Sequence, residues 1–459
     1  MGRTSFIRFS ILLAVSLILA TSAFAEHLFG PEELDTTFGV TFRFRQETWD
    51  NVFDLKNVSN TTTSTNSVDR NFFRLKTSLW YKMDYSKKYD FLVKFTNEAQ
   101  YFLSDRTDRY PGEPNARFVE DEIVFDNLYA GANGIFGIPL DIRIGRQDFL
   151  FTHGEGFLIL DGTPLDGSRT FYFNAAKANI KFGEKANVDL IYITDQETDL
   201  YLPSMYAGVK RQINYSNEQG VVVYGRIKAT EGLSVEPYYI YKKEQDVTRG
   251  AAPQPELDLN TVGARAVFGF GGGWKLRGEF AYQFGEYGNS ASTDREGYGG
   301  YAYIGRKYED VGMKPGFDLG AIYLSGDDPD TTDKDEGWDP LFSRWPWLSE
   351  LYVFTLGKER GIAYWSNLQA YRANFNFKIG ESSGLDLTYI YMLANENATG
   401  TFFSDGKERG HLPQAKLSHQ FSKAVDGYVL VEYFVPGDFY STDNNDNAAF
   451  VRWQLQWKI

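Results

Sequence analysis

From Phe38 to Trp49 the chain reads FGVTFRFRQETW, with Phe38, Val40, Phe42 and Phe44 at alternate positions and Thr41, Arg43, Arg45 and Glu47 between them. A period of two puts the two sets on opposite faces of an extended strand. The alternation returns at Phe73 to Tyr81, around Val93 and Phe95, and at Ile123 to Tyr129, Leu140 to Ile144, Ala176 to Phe182 and Val188 to Thr194. It continues at Val221 to Lys228, Val235 to Tyr241, Asn260 to Phe268, Trp274 to Phe284, Tyr298 to Ile304 and Phe317 to Ser325. The last repeats are Gln369 to Ile379, Leu385 to Leu393, Ala415 to Phe421, Val425 to Val435 and Ala449 to Ile459, which brings the count to eighteen. Short links such as YSKKYD alternate with long polar ones such as LKNVSNTTTSTNSVD. Many strand-length segments with this rhythm predict an all-β fold: a closed antiparallel transmembrane β-barrel of about eighteen strands with long extracellular loops.

The closing segment AAFVRWQLQWKI is amphipathic to its end, as barrel strands are, although it stops on Ile459 where such chains usually stop on Phe. GFGGG at 269–273 superficially matches a dinucleotide loop, but WKLRGEF resumes the strand alternation and makes it a turn.

One connection stands out. Residues 144–171 read IGRQDFLFTHGEGFLILDGTPLDGSRTF, a Gly- and Asp-rich crossing too long for a hairpin turn. By composition alone it is an ordinary surface loop. Its GRQ and LDGTPLDGSRTF motifs resemble those of the alginate-export family of outer-membrane barrels. That resemblance implies passive passage of an anionic polysaccharide from the periplasm through an arginine-lined, loop-gated pore. It further implies a monomer in outer-membrane lipid, a periplasmic secretion machinery as possible partner, and no cofactor. It gives Arg146 a pore-related role, with Arg169 close by across the wall and Asp161 and Asp166 of the same motif beside the substrate.

The N-terminus carries Arg3 and Arg8, the apolar run FSILLAVSLILA and the small-x-small site Ala23-Phe24-Ala25, which predicts a secretory signal peptide over 1–25 and a mature barrel over 26–459. No later stretch reads as a membrane helix, and mean hydropathy is -0.39. Thirty Tyr, thirty-seven Phe and nine Trp recur at alternate positions, which suits aromatic girdles at a membrane surface. With no Cys there is no disulfide framework. A net charge of -14 argues against nucleic acid and, summed globally, against an anionic substrate.

A barrel separates lumen from loops, however, so each needs its own reading. If the apolar rows face lipid, the lumen row holds Arg43, Arg45, Arg74, Lys76, Lys94, Arg143, Lys177, Arg226, Arg265, Arg277, Arg372, Lys416 and Arg452 among its bases, and Glu47, Glu98, Asp189, Glu236, Glu279 and Glu432 among its acids. Bases outnumber acids in this register, and the acidic excess falls in loops. Cross-strand pairing accounts for some of these charges; a surplus of arginine is what an anion passage uses. Arg43, Arg74, Arg143, Arg146 and Arg169 are the candidate ladder for a polyanion. Strict alternation puts Arg146 on the lipid side, at roughly 2 to 4 kcal/mol if at mid-membrane, so either the strand has left the membrane there or a bulge near Gly145 turns the side chain inward.

The acidic run DDPDTTDKDEGWD at 327–339 lacks the order and terminal Glu of a calcium loop and reads as a solvated external loop. For catalysis only His153, with Glu155 and Asp161 nearby, merits a test, and loop packing is the better explanation of it. The expectation is a non-enzymatic channel for an anionic polysaccharide, with an anion-selective or general porin as alternative and an outer-membrane hydrolase as the distant one.

Overall fold

The computed structural model describes residues 33–57, 69–103, 118–160, 167–169, 171–205, 212–249, 252–288 and 293–459. The expected signal segment over 1–25, Asp161 and Asp166 lie outside the described residues. The main sheet has nineteen strands, of which one is only the pair Lys334–Asp335, and the other eighteen form the wall. They are β1 (Leu34–Asp50), β2 (Arg70–Tyr85), β3 (Tyr89–Phe102), β4 (Phe118–Ala132), β5 (Leu140–Gln147), β6 (Phe173–Phe182), β7 (Ala186–Asp195), β8 (Glu218–Lys228) and β9 (Leu233–Glu244). The second half comprises β10 (Leu257–Phe270), β11 (Trp274–Tyr287), β12 (Asp294–Lys307), β13 (Gly316–Leu324), β14 (Leu368–Ile379), β15 (Ser383–Leu393), β16 (Glu408–Gln420), β17 (Val425–Pro436) and β18 (Ala448–Lys458).

Each strand pairs antiparallel with the next, and β1 pairs with β18 from Thr41 opposite Lys458 to Asp50 opposite Ala449. Closure leaves no sheet edge in the hydrocarbon, where an unpaired amide would cost several kcal/mol. Phe44 holds this seam from outside, stacked on Phe73 at 5.2 Å and edge-on to Trp453 at 5.1 Å, while Phe42 meets Trp457 at 5.6 Å. Ile459 still continues the ladder, exchanging backbone bonds of 2.8 and 2.9 Å with Val40.

The wall is inverted relative to a soluble protein. Ile144, Leu190, Phe280, Phe375 and Val429 face outward, whereas Arg74, Glu98, Asp189, Glu279 and Arg452 are buried on the inner side. One rim has tight links, such as 86–88, 183–185 and the Gly-rich 271–273; the other has the long connections 51–69, 148–172, 196–217 and 325–367. Short turns inside and long loops outside are the barrel rule.

Residues 148–160 and the connection 325–367 do not stay outside. Residues 329, 330, 332 and 333 of the acidic run are exposed as expected, but Gly337–Ser343 is buried, and the following chain, with the short helix α1 (Tyr352–Thr355), fills the inside of the barrel. Reading the whole 327–339 stretch as a solvated loop therefore requires correction. Trp338, Phe342, Leu351, Tyr352 and Trp365 pack with Phe149, Phe157 and Ile159 of the other inserted loop into an apolar core. The sequence signal was present in FSRWPWLSELYVF, whose apolar area has to leave water; an eighteen-strand wall is wide enough to receive it.

Candidate functional site: the charged lumen and its inserted loops

Along part of the inner row of the wall, carboxylates are set behind cations. Glu98 accepts from Arg43 at 2.9 Å and from Arg74 at 2.8 Å. Glu47 accepts from Arg452 at 2.7 Å and lies 3.2 Å from Arg45 and 3.5 Å from Arg74. Asp189 is shared by Lys177 at 3.0 Å, Arg226 at 2.9 Å and the His153 ring at 2.9 Å. The two partners differ in exposure: Lys177 and Arg226 side chains are 22% and 26% accessible above an Asp189 at 0%, Lys94 24% above Asp126 at 0%, and Arg143 41% above Asp90 at 8%. In these pairs the cation is the exposed partner and the anion is covered.

The inserted loops add carboxylates of their own. Glu155 bonds Arg265 at 2.9 Å and Arg277 at 2.8 Å, and Arg277 also makes a two-point pair with Asp318 at 2.6 Å. Glu350 grips Arg452 through both oxygens, and Glu359 pairs with Arg409 at 2.8 Å. Glu432 of β17 receives the backbone N–H groups of Glu350 at 3.1 Å and Leu351 at 2.8 Å. The two loops are joined to each other as well: Leu160 N–H donates to the Phe342 carbonyl at 2.8 Å, Phe342 N–H to Leu158 at 3.1 Å, and both Ser343 Oγ and Trp345 Nε1 donate to Gly156 O.

His153 does not group with Glu155. Its Nδ1 lies 3.0 Å from Thr152 Oγ1 and its Nε2 faces Asp189, while Glu155 turns to the arginines. Burial pushes the imidazole down to about 4 despite the Asp189 bond, with Lys177 adding to the fall, so the ring is neutral at pH 7 and anchors its loop.

The structure divides the five arginines of the expected ladder. Arg43 and Arg74 converge on Glu98, and Arg143 stands apart on Asp90 at 3.2 Å with its guanidinium 4.2 Å from the Tyr129 ring centre. Arg146 and Arg169 do come together, but in the wall: both bond Asp199 of the 196–217 connection, Arg146 by two bonds of 2.8 Å and Arg169 by one of 2.9 Å. Arg169 also bonds Glu122 at 2.7 Å and the Tyr172 hydroxyl at 2.5 Å. Burial alone would raise the Asp199 carboxyl; Arg146 and then Arg169 outweigh it and hold it below its usual value.

Of the two placements open to Arg146, no bulge is found. The ladder runs unbroken through Gly145, with Leu128 opposite Arg146 and Arg146 opposite Asn174. Instead β5 ends one residue later, at Gln147, and Asp199 covers the guanidinium. β4 continues to Phe118 with no β5 partner beyond Leu128, which leaves carbonyls on a bare edge. Arg146 donates to one of them, Phe125 O, at 2.9 Å, and Met205 N–H reaches another, Ile123 O, at 2.9 Å. The GRQ arginine thus seals a seam in the wall. Asp199, Glu122 and Glu350 carried no periodic or motif signal; only the folded loops bring them to their arginines. Among the described residues no group of His, Asp and Glu is arranged to hold a metal ion.

Solved outer-membrane channels share this architecture. The structure of Pseudomonas aeruginosa OpdK with vanillate matches with a TM-score of 0.59 at 10% identity, covering 93% of this chain and 98% of that one. Pseudomonas aeruginosa OccK8 (OprE) matches with 0.56 at 9% identity over 93% and 98%, and Acinetobacter baumannii OccAB1 with 0.56 at 10% over 93% and 96%. At such identities the likeness is one of fold. No curated protein sequence matches the chain. The alginate export family model covers residues 35–452, nearly the whole barrel. On that match, and on a closed eighteen-strand wall like those of the solved channels, the chain is an outer-membrane β-barrel channel belonging to the alginate export family.

Proposed function

We propose that this channel passes an anionic polysaccharide of the uronate type out of the periplasm. The observation that carries the reading is the layering of charge: cation heads at Arg43, Lys94, Arg143, Lys177 and Arg226 reach the lumen while their carboxylates are buried behind them. A guanidinium already paired from behind can share further N–H groups with a passing carboxylate and still release it, as conduction requires. In this reading Arg43 and Arg143 meet the polymer, Arg74 backs Arg43, and Arg146 and Arg169 position the loop root. Asp161 and Asp166 belong to the stretch that would border the path. Residues 1–25 would be removed on export, the mature chain would work as a monomer, and a periplasmic secretion machinery would deliver the polymer.

The test is a planar bilayer with a salt gradient, using the unmodified protein and the double variant Arg143→Gln/Arg226→Gln. The unmodified channel should give reversal potentials biased toward anions and be blocked by soluble oligouronate; the variant should lose the bias while keeping heat-modifiable gel migration. A cation-selective unmodified channel would overturn the proposal. The solved OpdK structure holds vanillate, and a small-anion porin is the second outcome here: anion bias without any block by oligouronate.

A further inference from the structure

Three wall arginines, each already paired with a wall carboxylate (Arg265 with Glu236 at 3.1 Å, Arg277 with Asp318 at 2.6 Å, Arg452 with Glu47 at 2.7 Å), also bond glutamates that belong to the inserted loops. Glu155 lies between Arg265 of β10 and Arg277 of β11, and Glu350 faces Arg452 of β18. Each is one carboxylate against guanidinium N–H groups, the contact a uronate residue would make. Glu155 is 31% and Glu350 26% accessible, so both pairs border open space while the arginines beneath them are 16% or less. The same two loops are bound to each other by backbone at Leu158, Leu160 and Phe342, so the segments carrying the two carboxylates are tied together.

We infer that Arg265, Arg277 and Arg452 are carboxylate sites for the transported polyanion, held in the resting channel by Glu155 and Glu350 as internal stand-ins for its uronates. Cargo enters by competing with these glutamates. A neutral sugar has nothing to exchange at either site and leaves the loops in place. The specificity for charge is then written twice, once in the exposed cation heads and once in the requirement to displace a carboxylate. This rests on the reading of the channel as a path for a polyuronate.

The experiment uses the full mature chain in planar bilayers, with tetragalacturonate as probe and maltotetraose as the neutral control of similar size. Glu155→Gln keeps the shape of the side chain and removes the competing charge, so the concentration of tetragalacturonate that halves the small-ion current should fall about tenfold, the scale of one charge-assisted contact. Glu350→Gln should shift it in the same direction, and it tests the competition separately should the first variant fail to give a heat-modifiable barrel. Maltotetraose should act equally weakly on all three proteins. If tetragalacturonate blocks the unmodified channel and neither variant changes the half-blocking concentration, the stand-in role is wrong and the uronate path survives. If tetragalacturonate acts no better than maltotetraose on any of the proteins, both readings fall together.

Discussion

Replacing Asp199 by Asn should loosen the root of the 148–172 loop and destabilise the barrel by about 3 kcal/mol. The carboxylate receives two bonds of 2.8 Å from Arg146 and one of 2.9 Å from Arg169, and all three side chains are at most 8% accessible, so solvent screening is minor. Removing one partner of a buried ion pair costs about 3 to 5 kcal/mol, because the remaining charge stays buried. Four contacts moderate this. Arg169 keeps Glu122, Arg146 keeps Asn174 at 3.0 Å and Phe125 O, and the Asn oxygen can still accept one bond. The estimate therefore sits at the lower end of the range. Urea titration in phospholipid vesicles, followed by tryptophan fluorescence, measures it. Because the penalty arises from orphaned charge, the double change Asp199→Leu/Arg146→Met should cost less than Asp199→Asn alone. If the single variant unfolds within about 0.5 kcal/mol of the unmodified protein, or the double variant is the worse of the two, the seam is not held by this cluster.

Two further outcomes follow from the same region. Gly145→Ala should destabilise by about 2 kcal/mol or more, since φ there is 126° and an added Cβ would lie 2.2 Å from the Leu128 carbonyl; wild-type urea resistance in this variant would remove the steric account of the GRQ glycine. His153 is held neutral, its pKa lowered to about 4 from 6.5, so the unfolded chain binds the extra proton first. The resulting stability is fully present above pH 6.5 and is lost as the pH falls toward 4, at most about 3 kcal/mol over that window. The pH slope of urea midpoints should shrink in His153→Gln, and an unchanged slope would assign the dependence to other groups.

The period-two alternation was enough to read the wall from the sequence. All eighteen expected segments fall within the eighteen observed strands or overrun their ends by a residue or two, because a strand with lipid on one side and charge on the other has only one way to face. That same parity put Arg43, Arg74, Lys177 and Arg226 on the inner face from sequence alone, and the GRQ and SRTF motifs marked Arg146 and Arg169 as a related pair. Parity stops at the strand ends, which is why it could offer only two placements for Arg146 without choosing between them. It is silent about loops. That 338–365 turns inward depends on whether the lumen has room and on which wall arginines await its glutamates, and neither is local information. Glu155, Glu350 and Asp199 sit 30 to 122 residues from the arginines they bind. The sequence by itself determined the barrel and which side chains turn toward its interior, through a repeat that each strand carries on its own. Only the tertiary structure decided which carboxylate meets which arginine, since ion pairing depends on distance in space and an irregular loop has no period from which to read it.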